Sequence, residues 1–173
     1  MESRRIAIRL AILDESANIG AVLRTVAATP QTSGPWDFSR TEEFLTHEVI
    51  PVRLATIGRT GAIVQSMWFD YADGFIWCST QADSVIVLRL RHDPRVGFEI
   101  APDQPPYHGV RGRALADIVH IGAAEVLDRL IDKYLDDPRS NLARWLRSRR
   151  TTEVALRLNP LTMHTFDYSA RMS

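Results

Sequence analysis

Between residues 51 and 101 the chain alternates short apolar runs with tight turn signals, and this spacing limits the fold more than any other feature. Pro51–Ile57 reads as a strand closed by the turn residues Gly58 to Gly61. Ala62–Phe69 reads as a second strand, with Gln65 and Ser66 interrupting its apolar run. Asp70 to Gly74 form a turn in which Asp73-Gly74 is a strong hairpin signal, and Phe75–Thr80 is the third strand. Strands joined this closely pair antiparallel, because a parallel pair needs a crossover of about a dozen residues. The expectation is a meander that closes into a barrel or packs as a sandwich.

The flanking sequence fills out an α+β chain. Ile6 to Ile12 alternate as in a strand, but the continuation through Ala17, Ala21, Val22 and Val26 favours a helical or partly disordered arm over residues 1–36, ending in the linker-like PQTSGPW. Ser39 and Glu42 form a capping-box pattern for a short helix ending before Pro51. Asp83–His92 fits a helix with Asp83 or Ser84 as its N-cap, and Val85, Leu88, Ile86 and Val87 on its apolar side. Residues 95–101 alternate as a half-buried strand, with Val96, Phe98 and Ile100 on one side. Residues 108–121 form a long strand with Arg111 and Arg113 on one face. Helices over Ala123–Leu135 and Asn141–Arg149 follow, then strands Glu153–Leu158 and Leu161–Tyr168 around an Asn159-Pro160 turn. The length of 173 residues suits one domain, here 37–173, carrying the N-terminal arm.

Charge and composition narrow the function. Lys+Arg and Asp+Glu both number 21, so no net field draws nucleic acid or an anionic membrane. The basic run RWLRSRR at 144–150 is better explained as a solvated helix end with cations at its C-terminal pole. Cys78 is the single cysteine, which rules out an internal disulfide and suits a cytoplasmic protein. No apolar run reaches the roughly 18 residues of a membrane span. The five histidines show no zinc-ligand spacing, and there is neither a phosphate loop nor a nucleophile elbow. Hard chemistry in such a chain belongs to an organic cofactor.

The residues RLATIGRTGAIVQSMWFDYADGFIWCST, the helix ending LRHDPRV and the strand PPYHGVRGRA resemble the pyridoxamine-5'-phosphate-oxidase-like family of FMN-binding split barrels over roughly residues 40–170. The resemblance implies an antiparallel six-stranded split barrel and a homodimer. It implies FMN, or in a related branch a deazaflavin coenzyme, bound at the dimer interface. It also implies an oxidoreductase that passes hydride to a small molecule, with a non-catalytic ligand-binding protein as the alternative. By this resemblance Gln65, Ser66, Met67 and Trp68 lie along the flavin ring, while Cys78, Ser79, Thr80 and Ser84 approach the ribityl chain and phosphate. Helix N-termini with hydroxyl side chains suit anions. The basic residues usual just after Ser84 and early in the second strand are here Val85, Ile86 and Ile63. Arg89, Arg111 or Arg113 would have to supply the missing cation. The C-terminal FDYSARM does not match the substrate-binding segment of vitamin B6 oxidases. No general acid or base stands out.

Overall fold

The computed structural model describes residues 29–172. Residues 1–28 of the proposed 1–36 arm lie outside the described residues. Eight strands form one sheet: β1 Gln31–Ser33, β2 Val52–Gly58, β3 Gly61–Met67, β4 Asp70–Ala72, β5 Phe75–Gln81, β6 Arg95–Ile100, β7 His108–Val119 and β8 Glu153–Asp167. Five α-helices accompany them among the described residues: α1 Phe38–His47, α2 Val85–His92, α3 Ala123–Tyr134, α4 Asn141–Ser148 and α5 Ser169–Met172. The strand order is β3-β2-β6-β7-β8-β5-β4, with β1 added parallel to β8.

This order corrects the expected meander. The Gly58–Gly61 hairpin pairs β2 with β3, but β3 does not pair with β5. The Asp73-Gly74 turn instead joins β5 to the three-residue strand β4, with both residues at positive φ. β3 and β4 are the two edges of the sheet, yet only Trp68 and Phe69 connect them. Three Cα steps reach at most about 11 Å, whereas six inter-strand spacings in a flat sheet measure about 29 Å. The sheet must therefore roll until its edges lie near each other. No hydrogen-bonded ladder joins them, so the barrel is open there, and its strands number eight rather than six.

Alternation along each strand sets the two faces. Leu54, Phe98, Val110, Met163, Ile76 and Leu158 point into the barrel and are buried. Arg53, Glu99, Arg111 and His164 stand opposite one another on the outer face. The two expected C-terminal strands are one, β8. Pro160 lacks an N–H, but it sits at the bulge facing Ala114, where the ladder shifts register, so the strand continues through it.

The helices fill in the remaining sides. α1 starts earlier than the capping-box pattern implies: Asp37, not Ser39, is the N-cap, accepting from the Arg40 backbone N–H at 2.8 Å. The linker-like residues 30–36 belong to the sheet and core. β1 lies there, and Trp36 is buried, its backbone N–H donating to Thr165 Oγ1 at 3.1 Å. In α2 it is Ile86, Val87 and Leu90 that face the core, whereas Val85 and Leu88 are exposed. α3 buries Val126, Leu127, Leu130 and Ile131, the stripe that its period requires. One side of that stripe covers Phe75, Trp77 and Ala155 on the outside of the barrel, and the other packs on Ala143 and Leu146 of α4.

Candidate functional site

A cleft of about 440 Å³ opens where the end of β3 meets β5 beneath α3 and α4. Gln65, Ser66, Met67 and Trp68 form one wall, and Ser79 and Thr80 form the other. Residues far apart in sequence thus meet because the sheet rolls and brings the β3 edge toward β5. Leu127 and Leu130 of α3 and Leu142 and Leu146 of α4 make the apolar roof. Leu142 and Leu146 are one helical turn apart, so they share a face, and Leu142 stays 46% exposed.

Trp68 is fixed in place. Its indole stacks on Tyr134 at 5.0 Å between ring centroids and 11° between planes. The Tyr134 hydroxyl donates to the Ile50 carbonyl at 2.6 Å and accepts from the Phe69 backbone N–H at 3.2 Å. Burial pushes the Tyr134 phenol up to about 12, so it stays protonated at neutral pH.

The far end of the cleft is acidic. Ser79 Oγ donates to Glu153 Oε2 at 2.5 Å, and the Gln81 side-chain amide donates to the other carboxylate oxygen. Thr152 Oγ1 lies 2.5 Å from Gln81 Oε1 and 2.9 Å from the Arg149 carbonyl oxygen, with one hydrogen to serve the two.

Five of the residues named from the sequence stand elsewhere. The Cys78 thiol lies fully buried in the barrel core, and burial pushes it up to about 12, so it lines no cleft and is a small core hydrophobe. Ser84 begins α2, but its hydroxyl is buried, lacks a hydrogen-bond partner among the described residues and does not line the cleft. Arg89 packs its guanidinium against Gly58, in a groove with Ile57, Thr60 and His92. That groove is at the opposite end of the β2–β3 hairpin, and at about 3.3 Å per residue β3 alone separates it from Trp68 by roughly 20 Å. Arg111 and Arg113 lie on the outer sheet face, along a second depression of about 500 Å³ floored by Ala55, Gly97 and Gly112. Helical spacing in the sequence marks Leu127, Leu130, Leu142 and Leu146 as packing faces only, and the fold brings them to the cleft together with Glu153, which has no sequence signal.

The ring and the phosphate of FMN fare differently in this cleft. A flat apolar ring suits the space between the Met67–Trp68 wall and the leucine roof. A phosphate does not suit the Ser79 end: among the described residues no Lys, Arg or His lines the cleft, and Glu153 is the one charged side chain that does. Among the described residues no group of three or more His, Cys, Asp or Glu is placed to hold a metal ion. No helix among them is long and apolar enough to cross a membrane.

The sequence matches no family model and no curated protein. Solved structures do match. A conserved hypothetical protein of Mycobacterium tuberculosis, Rv2991, aligns with a TM-score of 0.65 and 23% identity over 87% of this chain and 92% of its own. An F420 reductase aligns with a TM-score of 0.56 and 21% identity, covering 70% and 94%. A putative pyridoxamine 5'-phosphate oxidase from Listeria innocua aligns with a TM-score of 0.57 and 14% identity, covering 73% and 95%. At these identities the likeness establishes the fold alone.

Proposed function

We propose that the protein is an oxidoreductase whose cleft holds the flat ring of a flavin or a deazaflavin. The observation that carries this reading is that Gln65, Ser66, Met67 and Trp68 share one cavity with Ser79 and Thr80 under an apolar roof. An F420 reductase and a FAD-binding protein among the structures of like fold support the ring class. The ring would supply the hydride chemistry. The chain supplies orientation through the Trp68–Tyr134 stack and shields the ring from water through the leucines of α3 and α4.

The same proposal includes a homodimer formed through the outer sheet face. Val64, Ile57, Leu115 and Leu161 remain exposed there, beside depressions floored by Ala55 and Gly97. An apolar face of this extent on a folded chain favours a protein partner, and alternating Arg111, Arg113 and Glu99 give it both signs of charge for self-complementary pairing.

A second reading, a ligand-binding protein without turnover, is favoured by the chemistry of the lining. The cleft residues include no histidine, lysine or cysteine to move a proton, and Glu153 is engaged by Ser79 and Gln81. The test is optical. Flavin or deazaflavin fluorescence is titrated with protein, and the reduced ring is then mixed with electron-accepting small molecules. Binding followed by reoxidation faster than in buffer supports the oxidoreductase. Binding without that acceleration supports the second reading, and no binding of either ring overturns both.

A further inference from the structure

We infer that the acidic end of the cleft makes it select an uncharged ring bearing neutral hydroxyl donors over the same ring bearing a phosphate. The inference rests on the ring-binding reading above and specifies the ligand of that same cleft. Three observations support it.

The donors beside Glu153 are already committed. Ser79 carries one hydroxyl hydrogen, and that hydrogen points to Glu153 Oε2 at 2.5 Å, leaving only lone pairs toward the cleft. The Gln81 side-chain amide donates to the other oxygen of the same carboxylate. Two arginines at the end of α4 are also committed. Arg147 Nε binds Asp128 at 2.8 Å and Arg150 binds the other oxygen of that carboxylate at 3.1 Å. The buried Ser84 hydroxyl at the start of α2 lies outside the lining, so it offers no substitute.

What remains is a carboxylate with spare lone pairs at the end of an apolar slot. Glu153 accepts one bond at each oxygen, and each oxygen has room for a second. A ligand hydroxyl can donate there. A phosphate dianion cannot, and it meets a like charge in a partly desolvated space, where repulsion is much stronger than in water. The selecting group is therefore Glu153, and the ligand class is a non-phosphorylated, polyhydroxylated aromatic heterocycle.

Riboflavin and FMN test this directly, because they share a ring and differ by the phosphate. Each is titrated into the full chain by flavin fluorescence at low and at high salt. Riboflavin is expected to bind at least about tenfold more tightly than FMN, and the gap is expected to shrink in high salt as repulsion is screened. Glu153→Gln should narrow the gap severalfold, whereas Ser79→Ala, which keeps the carboxylate, should not, and circular dichroism shows whether each variant is folded. The wild-type comparison stands even if a variant does not fold. FMN binding as tightly as riboflavin, or more tightly, overturns the inference and leaves the ring site intact. A gap that a folded Glu153→Gln protein retains in full overturns the role of Glu153. Failure of both ligands to bind overturns the ring site, and the inference falls with it.

Discussion

Replacing Tyr134 by Phe removes one oxygen and tests how the cleft wall is held. The hydroxyl bridges two backbone groups, donating to Ile50 at 2.6 Å and accepting from Phe69 at 3.2 Å. These lie just before β2 and at the link between β3 and β4, so the bridge ties α3 to the open seam of the barrel. Deleting it leaves a half-buried carbonyl and a half-buried N–H without their partner. Such groups cost about 1–3 kcal/mol when left unpaired, and relaxation toward water moderates the sum, so we expect a loss of about 2 kcal/mol. For a chain of this size that lowers Tm by about 4–8 °C. Urea denaturation followed by far-UV circular dichroism reads it, with the midpoint falling and the slope unchanged. The ring survives in Phe, so the stack on Trp68 persists and flavin affinity should change by less than about threefold. Tyr134→Ala removes the ring as well and should cost about 3–5 kcal/mol. A Tyr134→Phe loss below about 0.5 kcal/mol would refute the bridge. The same group sets an alkaline limit. Burial raises its pKa from 10.0 to about 12, so the folded state holds the proton more tightly than the unfolded chain. Its contribution is intact below pH 10 and is lost as pH rises toward 12, a slope that Tyr134→Phe should reduce.

Other outcomes follow from the same geometry. A Cβ on Gly112 would lie 1.9 Å from the Thr162 carbonyl oxygen, so Gly112→Ala should cost about 3 kcal/mol or more in urea denaturation. Gly97→Ala, whose Cβ would approach nothing nearer than 3.6 Å, should change stability by less than about 1 kcal/mol. Cys78 should resist alkylation by a thiol reagent in the native protein and react fully in denaturant, because its thiol is buried and stays protonated. Asp167 is held down to about 2 by hydrogen bonds from Ser169 and Trp36, with Arg40 nearby. Its native pKa lies below the unfolded value of 3.8, so its contribution holds above that pH and is lost as pH falls toward 2. Trp36 fluorescence should report that transition, and Asp167→Asn should shift it to higher pH or remove it.

Much of this architecture could be read from local chemistry. The Gly58–Gly61 turn, the alternation over 95–101 and the helical stripe of α3 each carry a period that survives in the folded chain. Pairing partners were harder to read, because they depend on what happens between the periodic segments. Trp68 and Phe69 look like the tail of one strand, yet fully buried Phe69 ends β3 there and sends the chain to the opposite edge. β1 and β4 are three residues each, too short to show a period, and β1 lies among Gly, Pro and Ser that read as a linker. Pro160 reads as a turn until the bulge opposite Ala114 is known. At the site, the polar interruption Gln65-Ser66 was a visible signal on an apolar strand. Arg89 was not, since nothing local says that α2 turns it toward Gly58. Glu153 had no local signature, because its role depends on lying beside β5 in the ladder, where it pairs with Gln81.

The central claim is that the described cleft is where the ring binds, and the most direct measurement is a map of backbone amide shifts as riboflavin is added to isotopically labelled protein. The account predicts shifts concentrated at Gln65–Trp68, Ser79, Thr80 and the Leu142–Leu146 turn of α4. Shifts concentrated instead on Arg53, Arg111 and Arg113 of the outer face, or around Arg89 and Gly58, would contradict it.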